Sequence, residues 1–178
     1  MLKFLLIPIF ILAALQEPEL KKQQLTEYLT MSVSTELRNM TQQELSAKFL
    51  GAKIPDAALT DQQSAIELTV TGSPTFWAEK DLNLLKDFYD SSIPTLFQDI
   101  KFEKKEMVMI NDKQFIAYQF DATPAVERGN RMPEKRHTYL LYTIYRNGLV
   151  TVSFSCPPYL KEKWKPIAEK MFKTIKFR

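Results

Sequence analysis

The run HTYLLYTIYRNGLVTVSFSC, from His137 to Cys156, carries the clearest structural signal in the chain. Two segments rich in Tyr, Ile, Val and Thr meet at Asn147-Gly148. Both central residues of a type I′ turn need φ > 0, which Asn tolerates and Gly adopts freely, so this dipeptide predicts a tight β-hairpin. A two-residue loop centred there pairs Tyr145 with Val150, Thr143 with Val152, Leu141 with Phe154 and Tyr139 with Cys156. That face is apolar almost throughout. The opposite face sets Leu140, Tyr142 and Ile144 against Ser155, Ser153 and Thr151, and is mixed. Cross-strand aromatic and β-branched pairs contribute roughly 0.2–1 kcal/mol each, enough to hold the register without a special device.

Downstream, Pro157-Pro158 ends the sheet, since Pro cannot donate to a ladder. The helix that follows places Leu160, Trp164, Ile167, Met171 and Phe172 on one face, and Pro166 sets the start of its regular part near Trp164–Lys165. Upstream, 122–136 reads as a polar loop. It is preceded by strands near Lys101–Ile110 and Gln114–Asp121, joined through Asn111-Asp112-Lys113. A helix from about Glu79 buries Leu82, Leu85, Phe88 and Tyr89 at helical spacing until Pro94 kinks or restarts it. Ser64–Thr71 alternates as a strand and closes at Gly72-Ser73-Pro74, while Gly51 to Gln63 reads as loop. Thr41 with Glu44 matches a capping box, opening a helix to about Leu50. Asn39-Met40-Thr41 also fits an N-glycosylation sequon, but the cap is the stronger reading. A first strand covers about Tyr28–Val33. Strands without βαβ alternation predict an α+β fold, an antiparallel sheet of about five to six strands with helices covering one face.

The N-terminus has Lys3, then an apolar run from Phe4 to Leu15 with Ala13-Ala14 near its end. This is the layout of a secretory signal peptide, and the run is shorter than the roughly 20 residues that cross a bilayer as a helix. The expected organisation is a signal peptide over 1–16 and a single domain over 17–178, exported to a periplasm or medium. Membrane contact is then confined to the signal peptide before cleavage.

Composition excludes several classes of function. The 178 residues are 45% hydrophobic and 25% charged, ordinary for a globular protein. A net charge of +3 is too mild and too evenly spread to imply nucleic acid. One His and one Cys rule out a zinc site of several such ligands, and an intrachain disulfide as well. Four glycines form neither GxGxxG nor a P-loop, and no cofactor is expected.

The order of elements resembles the PsbP-like superfamily. The similar parts are DLNLLKDFY from Asp81, EMVMINDKQFIAYQF from Glu106, the strand pair around Asn147-Gly148, and WKPIAEKMFKTIKF from Trp164. The resemblance is one of pattern and order, and it runs from about Ser64 to Phe177. It implies a fold shared with extrinsic photosystem subunits, a Ran-binding nuclear import factor and exported bacterial proteins of unknown role. Members with known roles bind partners rather than catalyse. No motif transfers a metal ligand or partner residue, and the basic 122–136 loop departs from the pattern.

These readings yield an exported, non-enzymatic binding or accessory protein with a protein partner. The expected binding surface is the mixed face, Leu140, Tyr142, Ile144, Thr151 and Ser153, provided no helix covers it. Arg128, Arg131, Lys135 and Arg136 form a basic cluster that could hold an anion. Two alternatives stand beside this reading. One is a carrier of a small molecule or lipid in an apolar pocket between sheet and helices. The other is a thiol or His hydrolase using His137 and Cys156, which the blander reading leaves as an edge residue and an inert thiol. Asp87 and Asp90, at i and i+3 on a helix, read as a solvated face rather than a cation site.

Overall fold

The computed structural model describes residues 19–125 and 133–178. The predicted signal peptide lies outside these residues, as do Arg128 and Arg131 of the basic cluster.

The hairpin forms as β8 (Arg136–Tyr145) and β9 (Gly148–Cys156), but its turn sits one residue earlier than the Asn-Gly signal placed it. Arg146 and Asn147 hold the two positive φ angles, 48° and 60°, and Tyr145 faces Gly148. Every pair is therefore displaced by two residues along β9. Thr143 faces Val150, Leu141 faces Val152, Tyr139 faces Phe154 and His137 faces Cys156. A shift of two preserves the faces, because side chains alternate with period two. Gly148 instead answers a close approach. A Cβ there would lie 3.3 Å from the Tyr145 carbonyl oxygen and 3.5 Å from that of Ser73, on the neighbouring strand.

That neighbour is β5 (Glu67–Pro74), antiparallel to β9. On the other side β7 (Lys113–Pro124) pairs with β8, and β6 (Phe97–Ile110) pairs with β7 through a second turn, where Asn111 and Asp112 take φ of 45° and 67°. Beyond β5 lie β4 (Ala57–Thr60) and β3 (Arg38–Asn39), completing a seven-stranded sheet in the order β3-β4-β5-β9-β8-β7-β6. A second sheet joins β1 (Leu20–Gln24), β2 (Leu29–Ser34) and β10 (Lys176–Phe177). The fold is α+β and antiparallel, with more strands than expected. The short β1, β3, β4 and β10 lack the length to show alternation, and β4 forms inside the segment read as loop.

Among the described residues, three helices complete the fold. The first, α1 (Gln42–Lys48), starts at Thr41 with both capping-box hydrogen bonds: the Glu44 amide donates to Thr41 Oγ1 and the Thr41 amide to Glu44 Oε2. α2 (Leu82–Ser92) runs on into a 3₁₀ turn at Ile93–Leu96, restarted by Pro94. α3 (Lys161–Phe172) begins before its expected start and carries Pro166 in its interior. A 3₁₀ turn at Pro158–Leu160 leads into it.

The large sheet is packed on both faces, where one was expected. On the face of Leu141, Val152 and Phe154, α3 and the small sheet bury Trp164, Ile167, Met171 and Phe172. On the other, α2 contributes Leu82 and Leu85 to a second core with Ile116, Tyr118, Phe120 and Ile144. Phe88 of α2 does not join it and is 55% exposed.

Candidate functional site

α2 covers only part of the mixed face, and the remainder forms the floor of a cleft of about 560 Å³. Its floor is built from Thr69 on β5, Ser153 and Ser155 on β9, and Thr138, Leu140 and Tyr142 on β8. Ser153 stands between Thr69 and Leu140, and Ser155 between Glu67 and Thr138, so these side chains are lattice neighbours across three strands. The walls come from distant segments. Lys48 and Phe49 stand at the end of α1, with Ile93 and Leu96 in the 3₁₀ turn and Phe97 at the head of β6. Ile93 is buried, whereas Leu96 is 58% exposed at the rim.

Of the five expected binding residues, Leu140, Tyr142 and Ser153 line this cleft. Ile144 does not: it is 1% exposed beneath α2, in the second core. Thr151 is half-buried and is not among the lining residues. Tyr142 stacks on Tyr89 of α2 at 4.1 Å between centroids, and burial raises its phenol pKa. The hydroxyls of Thr69, Thr138, Tyr142 and Ser153 make no hydrogen bond with a described residue.

Charges edge the floor. Lys48 Nζ lies 2.7 Å from Glu67 Oε1 and also donates to the Ser64 carbonyl. Arg136, the first residue of β8, is spread over the sheet: Nε donates to Ser155 Oγ at 3.0 Å, and Nη2 donates to the Ala65 carbonyl at 2.7 Å and the Ser155 carbonyl at 3.2 Å. Lys135 is exposed beside it. Arg136 is thus a fixed component of the cleft rather than one more charge in a solvated loop.

His137 and Cys156 face each other on the opposite side of the sheet, yet they form no catalytic pair. His137 is 1% exposed and no edge residue. Its Nδ1–H donates to Asp121 Oδ1 at 2.6 Å, while Nε2 accepts from the Gln119 amide at 3.1 Å. Burial holds the imidazole pKa below its ordinary 6.5, against the pull of Asp121. Both ring nitrogens are occupied, and neither engages the thiol. Burial pushes Cys156 up to about 11, leaving almost no thiolate at neutral pH.

Asp121 belongs to a network that also holds Glu103, with ligand atoms of Glu103, Asp121 and His137 all within 4.8 Å of one another. Lys161 Nζ lies between the two carboxylates, 2.5 Å from Glu103 and 2.6 Å from Asp121, and Lys165 adds a contact of 2.6 Å to Glu103. The hydrogen bonds from Lys161 and Lys165 hold the Glu103 carboxyl down at about 2. A divalent cation would have to displace these ammonium groups, so the cluster works as an ion network clasping α3 to the sheet. Asp90 is similarly occupied: it accepts from Lys86 at 2.6 Å and from the Tyr118 hydroxyl at 2.9 Å. Asp87 takes no part in those contacts.

Sequence reasoning found the hairpin floor and missed the walls. Lys48, Phe49, Leu96 and Phe97 sit far from the hairpin in sequence and share no motif with it. The Glu103–Lys161–Asp121–His137 network likewise joins four elements, with no spacing to announce it.

No protein-family model matches the chain, and no curated protein matches it. Solved structures do. A cyanobacterial PsbP from Synechocystis sp. PCC 6803 superposes with a TM-score of 0.54 at 12% identity, covering 93% of this chain and 96% of that one. LpqN of Mycobacterium tuberculosis, described as involved in cell envelope biogenesis, gives 0.52 at 6% identity, over 84% of this chain and 82% of its own. The Saccharomyces cerevisiae Ran-binding protein Mog1p gives 0.51 at 9% identity, over 89% and 96%. With coverage this near to complete on both sides, the chain has a PsbP-like α+β fold.

Proposed function

We propose that this chain is an exported, non-enzymatic binding protein whose working surface is the cleft on the mixed face. The observation that carries this reading is the cleft itself. It is concave, of a size typical of small-molecule sites, and combines apolar walls with a few hydroxyls and one fixed guanidinium. An exposed Leu96 at its rim is apolar surface that an occupant would cover. The engaged imidazole and the neutral, buried thiol support a role without catalysis. The fold is consistent with this reading, since among the proteins that share it are a cyanobacterial PsbP and a Ran-binding protein. Export rests on the layout of residues 1–16.

Two measurements test the proposal. A photo-crosslinking residue at Leu96, in protein expressed in its own host, should capture a defined species, whereas one at Tyr159, exposed but outside the cleft, should not. Equal capture from both positions would remove the cleft from the account. Intact-mass analysis of the native protein should give a chain beginning between residues 14 and 18. A full-length mass would sink export by cleavage.

A further inference from the structure

Arg136 differs from Lys48, the other cation among the described residues that line the cleft. Lys48 is neutralised by Glu67. The Arg136 guanidinium bonds only to neutral oxygens, those of Ser155 and Ala65, and no carboxylate of a described residue forms an ion pair with it. Its Nη1 amino group makes no hydrogen bond to a described residue. A half-buried guanidinium is costly to leave without a counter-charge, and three hydrogen bonds pin it where it lines the cleft. Close by on the floor are the hydroxyls of Thr138 and Ser153, which make no hydrogen bond with a described residue. Beyond them lie apolar groups: Leu140, Ile93, Leu96 and Phe97.

We infer that the cleft holds an amphiphilic monocarboxylate, its carboxylate on Arg136 and its apolar chain along the Leu96–Phe97 wall. The inference rests on the cleft being the binding surface and adds the chemistry of what binds. Charge selects a monoanion. Glu67 and Glu134 also line the cleft, and with Lys48 already matched to Glu67, the described lining offers a dianionic phosphate one further cation, Arg136, opposed by Glu134. The Nη1 amino group, which no described residue engages, can donate to a carboxylate oxygen, and such charge-assisted hydrogen bonds are about twice as strong as neutral ones. Ile93, Leu96 and Phe97, on the 3₁₀ turn and the head of β6, offer a wall along which an extended apolar tail can lie.

Calorimetric titration of the mature protein with decanoate, decanol and decyl phosphate reads this directly. Decanoate should bind about tenfold or more tighter than decanol, the ratio a hydrogen-bonded charge supplies. Decyl phosphate at pH 8 should bind more weakly than decanoate. Arg136→Gln should erase the preference for decanoate over decanol, and Leu96→Ser should weaken both while the melting temperature stays close to wild type. Equal binding of decanoate and decanol by the wild type would overturn the carboxylate assignment and leave the cleft as the binding surface. Decanoate binding unchanged in both variants would place it elsewhere and overturn the inference. No binding of any of the three would overturn it too, and the Leu96 crosslink then decides separately whether the cleft binds at all.

Discussion

Substituting Val for Asn147 and, separately, for Gly148 separates two placements of the hairpin turn. Asn147 is exposed and sits at φ 60°, so Asn147→Val removes no packing and its whole effect falls on the backbone. A β-branched residue held in the left-handed region costs about 1–3 kcal/mol. For a chain of this size that is a fall in melting temperature of about 2–12 °C, at roughly 2–4 °C per kcal/mol. Gly148 pairs with Tyr145 as the first residue of β9, and its φ lies outside the left-handed range. Gly148→Val must find room beside the Tyr145 carbonyl oxygen at 3.3 Å, but gains the strand preference of Val, so its net loss should stay within about 1 kcal/mol. Urea melts of the wild type and both variants, compared at equal m-value, measure the two losses. A larger loss at Gly148 than at Asn147 would refute the turn at Arg146-Asn147 and restore the register centred on Asn147-Gly148.

The buried imidazole makes stability pH-dependent. Because its folded pKa is lowered, the contribution of His137 is complete above 6.5, its ordinary value, and is lost as pH falls through 6.5 toward the folded value. Asp121 and Glu103, also lowered, extend the loss to lower pH. His137→Asn should therefore melt lower at pH 8, by about 1–3 kcal/mol for the polar partners left unpaired, yet flatten the fall between pH 7 and pH 5; a melting profile as steep as wild type would exclude His137 as its source. Cys156 in the folded protein should resist iodoacetamide at pH 8 and react only after unfolding, and Cys156→Ala should leave ligand binding intact; fast labelling of the native state would contradict the buried, neutral thiol.

The local elements were readable because their causes are local. Turn residues between β-rich runs marked β7, β8 and β9, Thr41 and Glu44 marked the start of α1, and Leu82 and Leu85 marked the inner face of α2. Even the two-residue error in hairpin register left every side chain on its expected face, since a period-two pattern is blind to such a shift. Pro166 misled for the opposite reason. Its missing amide argues against a helix interior, but Trp164, Ile167 and Met171 bury enough surface on the sheet to carry α3 through it.

From the sequence alone came an antiparallel α+β fold built on one hairpin, with an apolar face and a mixed one. Tertiary structure decided what covers the mixed face. Ile144 and Leu140 are equivalent in the alternation, yet α2 seals the first and leaves the second at the floor of the cleft. Arg136 was one basic residue among four until Ala65 and Ser155, on two other chain segments, accepted its hydrogen bonds and turned it into a fixed charge. Alternation and capping act between near neighbours in the chain, whereas a cleft is made by where distant segments stop, and no residue's own chemistry records that.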